Sequence, residues 1–142
     1  MRKNLAILCL TLLLTLAFAS LSHAAENPFK ELTQEQVIQK YFDGRQLDTI
    51  EGIWLDDLLT PTIIIKSSLI NIDNSKNYDY FMIKDTTIVG VRKTQYSSVF
   101  ESGNSKKTVR LVSPSTFMVL SDRYYVSSLY NLYTRTYPTE MK

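Results

Sequence analysis

Cysteine and histidine are almost missing from this chain. One of each occurs in 142 residues, Cys9 and His23, and both stand within the first 24 positions. That stretch has a basic start at Arg2 and Lys3, an apolar run from Leu5 to Phe18, and small residues before a cut after Ala24. It reads as a secretory signal peptide. Once cut, the chain begins Ala25-Glu26-Asn27-Pro28 and carries neither an imidazole nor a thiol. Histidine acid–base catalysis, histidine metal ligation and cysteine chemistry are thereby excluded.

Other shortages narrow the field further. There are four glycines, and they form no Gly-rich phosphate loop and no G-x-S-x-G elbow. No disulfide scaffold can form without cysteines, although export leads to a disulfide-permissive compartment, so stability must come from ordinary burial. Leu8 precedes Cys9 where a lipidation site needs a small residue, and the apolar stretch is at the short limit of a membrane span. The expectation is a cleaved leader, no stable membrane anchor, and a periplasmic or secreted protein. Removing Arg2 and Lys3 takes the formal charge from +2 to zero. A neutral chain has no electrostatic handle for nucleic acid.

What remains is a short helix followed by strands. Thr33 is a good N-cap, Gln36 completes a capping box, and Leu32 with Val37 forms a hydrophobic staple. Val37, Ile38, Tyr41 and Phe42 make one apolar stripe, and Gly44 stops the helix. Strand candidates follow at 51–58, 62–72, 78–84, 87–94, 95–101, 107–112, 116–121 and 123–135, separated by turn-like clusters such as Ser102-Gly103-Asn104-Ser105. Ile63-Ile64-Ile65 is β-branched throughout and reads as a buried strand. The expected organisation is a leader at 1–24, a segment with a capping helix at 25–50, and an antiparallel domain at 51–142. The expected fold is all-β, a small antiparallel lipocalin-like barrel whose open end near Trp54 the helix covers. A five-stranded OB-like barrel or a small sandwich is the alternative.

The most distinctive segment is Leu47-Asp48-Thr49-Ile50-Glu51-Gly52-Ile53-Trp54, with the single tryptophan of the chain. Gly52-x-Trp54 after a short helix resembles the opening of the calycins, the lipocalin and fatty-acid-binding superfamily. The resemblance implies that Trp54 closes one barrel end and that an arginine near the last strand lies across it. Arg135 is placed to do so, with Arg123 the second choice. It also implies a small apolar ligand inside the barrel. The longer string LDxIEGIW looks like the opening of secreted bacterial proteins of unknown function.

Two readings of each candidate residue stay open. Trp54 is a core plug or a stacking platform. Glu51 is a hydrogen-bonding carboxylate or, in a hydrolase, an acid that would need a second polarised group. Asp56 and Asp57 are adjacent, point to opposite faces of a strand, and read as solvated. Tyr124, Tyr125, Tyr130, Tyr133 and Tyr137 crowd the C-terminus. On one unbroken strand Tyr125, Tyr133 and Tyr137 would share a face, either as good strand formers or as an exposed stripe for a partner.

The residues therefore point to a binding module without metal, cofactor or catalytic machinery, with Trp54, Glu51, Arg135, Tyr125, Tyr133 and Tyr137 as binding candidates. It would hold a small apolar ligand or an envelope or extracellular protein partner. Short strands make a narrow barrel filled by its own side chains, which favours the partner. A carboxylate-dependent hydrolase and a purely structural envelope protein are the alternatives.

Overall fold

Strand β2, Pro61–Lys66, shows how the chain is layered. Thr62 and Ile64 are fully buried, and so is Ile65 on the opposite face. A strand buried on both sides needs apolar residues at consecutive positions rather than at alternate ones, which accounts for Ile63-Ile64-Ile65. In the computed structural model, which describes residues 27–72, 75–103, 107–121 and 130–139, β2 is one wall of a closed barrel.

The barrel has eight antiparallel strands in chain order: β1 Gly52–Asp56, β2 Pro61–Lys66, β3 Tyr80–Lys84, β4 Thr87–Lys93, β5 Val99–Ser102, β6 Lys107–Ser113, β7 Thr116–Ser121 and β8 Tyr130–Tyr137. β1 pairs with β2 on one side and β8 on the other, so no edge strand is left unpaired. The OB-like barrel and the sandwich are thereby set aside. The barrel interior holds Ile50, Trp54, Ile64, Tyr80, Val91, Phe100, Val109, Phe117, Val119 and Tyr133 as one apolar cluster.

A second cluster lies on the outer wall. Phe29, Val37 and Phe42 pack with Ile53, Ile65, Phe81 and Ile83, the residues that alternate with the interior set on β1 to β3. The helix α1, Gln34–Val37, starts as its sequence implies. Thr33 Oγ1 accepts from Gln36 N at 3.3 Å, and Thr33 N donates to Gln36 Oε1 at 2.8 Å. It then widens into a π-helical turn, Ile38–Phe42, closed by Asp43 N donating to Ile38 O at 2.8 Å. Wider winding brings residues five apart onto one face, which aligns Val37 with Phe42. The helix therefore covers the barrel's side, not the end near Trp54 as expected. The reason is the exposed isoleucine face of β1 to β3, which needed a cover more than the end did.

Strand bounds differ most from the sequence reading in two places. The stretch 62–72 ends as a strand at Lys66 and turns into a 3₁₀ helix at Ser67–Leu69. In place of the strand expected at 95–101 stands a shorter one, Val99–Ser102. The last strand is described over Tyr130–Tyr137, and residues 122–129, with Arg123, Tyr124 and Tyr125, lie outside the described residues. On β8 the pairing steps from Trp54↔Arg135 to Ile53↔Tyr137, which leaves Thr136 as a bulge. A bulged residue breaks the alternation of faces. Tyr133 thus sits inside the barrel, while Tyr137 joins the outer cluster against Phe42 with ring centroids 5.8 Å apart. The expected shared face of Tyr133 and Tyr137, and with it an exposed stripe through these two, does not form.

Candidate functional site

The two barrel ends differ in kind. At the first, where Gly52, Lys66, Tyr80 and Arg135 lie, the interior is sealed. Gly52 has φ +140°, and a Cβ there would overlap the carbonyl oxygen of Tyr137. Glycine is what lets β1 and β8 approach this closely. Trp54 is fully buried, and its Nε1 donates to Ile50 O at 3.1 Å. The Arg135 guanidinium lies over the indole, 4.0 Å from the ring centroid. Its Nη1 donates to Glu51 O at 2.6 Å, its Nε to Pro114 O at 2.7 Å, and its Nη2 to Thr49 O. One buried cation thus ties the segment entering β1 and the β6–β7 turn to β8. Burial pushes its pKa down to about 10, which leaves it protonated at neutral pH.

Glu51 is spent on the same closure. Its side chain is fully buried, and its oxygens accept from Arg45 Nη2 at 2.8 Å, Asp48 N at 2.9 Å and Lys66 N at 3.3 Å. Asp48 accepts from the Tyr80 hydroxyl at 2.6 Å, with Lys66 at 3.4 Å and Lys93 at 3.5 Å. Partial burial works against the Asp48 carboxylate, but the Tyr80 hydroxyl and the two lysines outweigh it and hold its pKa below the usual value. Burial and the Asp48 carboxylate together push the Tyr80 phenol up. Trp54 is thus in the plug arrangement, and Glu51 is a clasp with its oxygens engaged by the protein.

From Trp54 an aromatic ladder runs toward the other end. Phe117 meets Trp54 edge-on at 4.7 Å, and Tyr133 stacks on Phe117 at 4.4 Å with the rings 8° from parallel. Beyond Tyr133 the filling stops. A cavity of about 230 Å³ opens there, lined at depth by Thr62, Met82, Val89, Val119 and Tyr133, and at the rim by Lys84, Thr87, Ser102, Lys107 and Asn131. The described residues therefore do not fill the eight-stranded barrel throughout, contrary to the expectation from its short strands. The narrowness argument holds for the half that contains Trp54, Phe117 and Tyr80, where large rings meet. It fails where valine, methionine and threonine face inward.

Two polar features mark the cavity. Thr62 is fully buried, and its Oγ1 has no hydrogen-bond partner among the described residues. At the rim, Lys84 pairs with Asp56, whose side chain is only 3% exposed. Asp56 also accepts from Thr60 N at 2.7 Å and Leu58 N at 3.0 Å. Lys84 and then the Thr60 amide hold the Asp56 pKa down, and the same bond holds Lys84 up. Asp56 is therefore a buried partner, not the solvated carboxylate expected of it, while Asp57 is exposed. Burial raises the Tyr133 phenol as well.

Of the six candidate residues, Trp54, Glu51 and Arg135 come together at the sealed end. Tyr133 alone lines the cavity, Tyr137 packs outside, and Tyr125 lies outside the described residues. Thr62, Lys84 and Lys107 are not among the site candidates that the sequence offers. Their signal was positional: each is the polar residue ending an inward row, before Ile64, after Met82 and before Val109. A larger surface groove of about 370 Å³ lies by Thr49, Ser97, Ser98 and Leu111 to Pro114. It has no charged lining residue and no partnerless buried group, so it has less to recognise a ligand with.

Among the described residues no group of three or more His, Cys, Asp or Glu side chains is placed to hold a metal. Among them, too, no helix is long and apolar enough to cross a membrane. No protein-family model, curated protein or solved structure matches this chain.

Proposed function

We propose that this protein is an exported binding module that holds a small molecule in the open half of its barrel. The observation that carries the reading is the cavity beyond Tyr133, apolar at its base and polar at its mouth. Ligand sites combine an apolar lining with a few placed polar groups in this way. Size narrows the occupant. At about 230 Å³ the cavity falls below the ~300 Å³ at which drug-sized sites begin. It is larger than the ~150 Å³ that accepts benzene in an engineered protein core. A single-ring molecule with one polar substituent, or a short-chain equivalent, fits these limits. Arg135 across Trp54 supports kinship with the calycins, and the signal-like pattern of residues 1–24 supports export to the periplasm or beyond.

A second reading has its own observation. Leu58 and Leu59, on the turn after β1 at the same end, are 79% and 74% exposed. Two adjacent exposed leucines suit a protein partner.

Native mass spectrometry of the protein recovered from the envelope fraction separates the two. A retained mass of a few hundred daltons or less, lost in Val119→Phe, is the expected result, because the phenyl ring fills the cavity. A ligand-free spectrum with no thermal shift on adding millimolar benzyl alcohol overturns the small-molecule reading. A co-eluting polypeptide, lost in Leu58→Ser/Leu59→Ser, would put the partner reading in its place.

A further inference from the structure

The charges around the cavity narrow the class of ligand, given that the cavity is a binding site as proposed above. Among the described residues two lysines line it, Lys84 and Lys107, and no carboxylate does. They are not equivalent. Lys84 Nζ is engaged by the Asp56 carboxylate, which is itself buried and held by two backbone amides. Lys107 is exposed and makes no ion pair among the described residues. Among the described residues the lining therefore carries one positive charge without an ion-pair partner, above a base formed by Met82, Val89, Val119 and Tyr133. The Thr62 hydroxyl, fully buried and without a partner among the described residues, is a polar group set within the apolar lining.

We propose that the occupant is a small monoanion, an aromatic or short aliphatic monocarboxylate. Its carboxylate sits at the rim by Lys107, and its apolar body fills the space down to Tyr133. A neutral molecule of the same size would gain the apolar contacts alone. A cation would meet the Lys107 ammonium, and among the described residues no carboxylate lines the cavity to receive it. A dianion would face a single free charge and pay more desolvation than it recovers. The chemistry thus selects by sign and by size together.

The test uses three probes of one shape, benzoate, benzyl alcohol and benzylamine, titrated into the protein recovered from the envelope and freed of any retained small molecule. Calorimetry reads their affinities at low and at physiological salt. Benzoate should bind most tightly and benzylamine most weakly. The margin of benzoate over benzyl alcohol should be about fivefold, the upper end for a partly exposed ion pair, and should shrink with salt. Lys107→Glu should reverse the order, so that benzylamine overtakes benzoate while benzyl alcohol is unchanged. That reversal is a readout that loss of folding cannot mimic, and Lys107 is exposed enough to be replaced without disturbing the core.

Equal binding of benzoate and benzyl alcohol overturns the monoanion inference and leaves the cavity reading standing. So does an order that Lys107→Glu does not change. Failure of all three probes to bind overturns both.

Discussion

Thr62 and Arg135 solve the same problem in opposite ways. Arg135 is a buried cation without a carboxylate partner among the described residues, yet three backbone carbonyls and the Trp54 face take up its donors. Thr62 is a buried hydroxyl that takes up nothing among the described residues. A buried polar group left unpaired costs about 1–3 kcal/mol, and replacing it by an apolar group of the same shape removes that cost. Thr62→Val should therefore stabilise the ligand-free protein by about 1 kcal/mol, a rise in thermal midpoint of roughly 4 °C. A calorimetric melt checks it, and a lowered midpoint would show that the hydroxyl is already satisfied. Arg135 was legible in the sequence because its partner Trp54 announces itself through Gly52-x-Trp54. Thr62 was not, since a threonine in a β-branched run is unremarkable until barrel closure fixes which way it faces.

Single positions also decide whether whole elements meet. β1 and β8 close the barrel, and their contact depends on Gly52, where φ is +140° and a Cβ would overlap Tyr137 O and lie 3.0 Å from Arg135 Nη1. Gly52→Ala must strain the backbone and push β8 outward, with a cost of about 3 kcal/mol. Gly44, at φ +69° with open space around it, is the control: Gly44→Ala should cost only about 1–2 kcal/mol from left-handed backbone strain. Urea unfolding followed by Trp54 fluorescence measures both. The Gly52 variant should also shift the native emission, because the indole loses its guanidinium cover. Equal costs would mean that the approach of β1 to β8 is not the constraint. The helix start was readable from Thr33 and Gln36, and the strands from their turns. The π-helical turn and the docking face were not, because both answer to the outer wall of β1 to β3, a surface that exists only after the strands pair.

That shared wall governs the molecule as a whole. β1, β2 and β3 give alternate residues to the barrel interior and to the cluster under the helix, so neither layer can be lost without the other, and unfolding should be a single transition. Its pH dependence follows from two carboxylates, one at each end. Asp48 at the sealed end and Asp56 at the open end both have folded-state pKa values below the ordinary 3.8. A depressed carboxylate contributes stability that is fully present above its unfolded pKa and is lost as pH falls through the folded one. Stability from these two groups is thus constant from pH 7 to 5 and falls below about pH 4. No histidine follows Ala24 to titrate between those limits. Urea midpoints at pH 7, 5, 3.5 and 2.5 should show a plateau and then a decline. Asp48→Asn and Asp56→Asn should each lower the plateau and flatten the decline, because an amide keeps the acceptor but gives up the charge that Lys66, Lys93 or Lys84 answers. A midpoint that moves between pH 7 and 5 would instead mean that a carboxylate with a raised pKa governs the barrel, and the two ends would no longer account for its acid response.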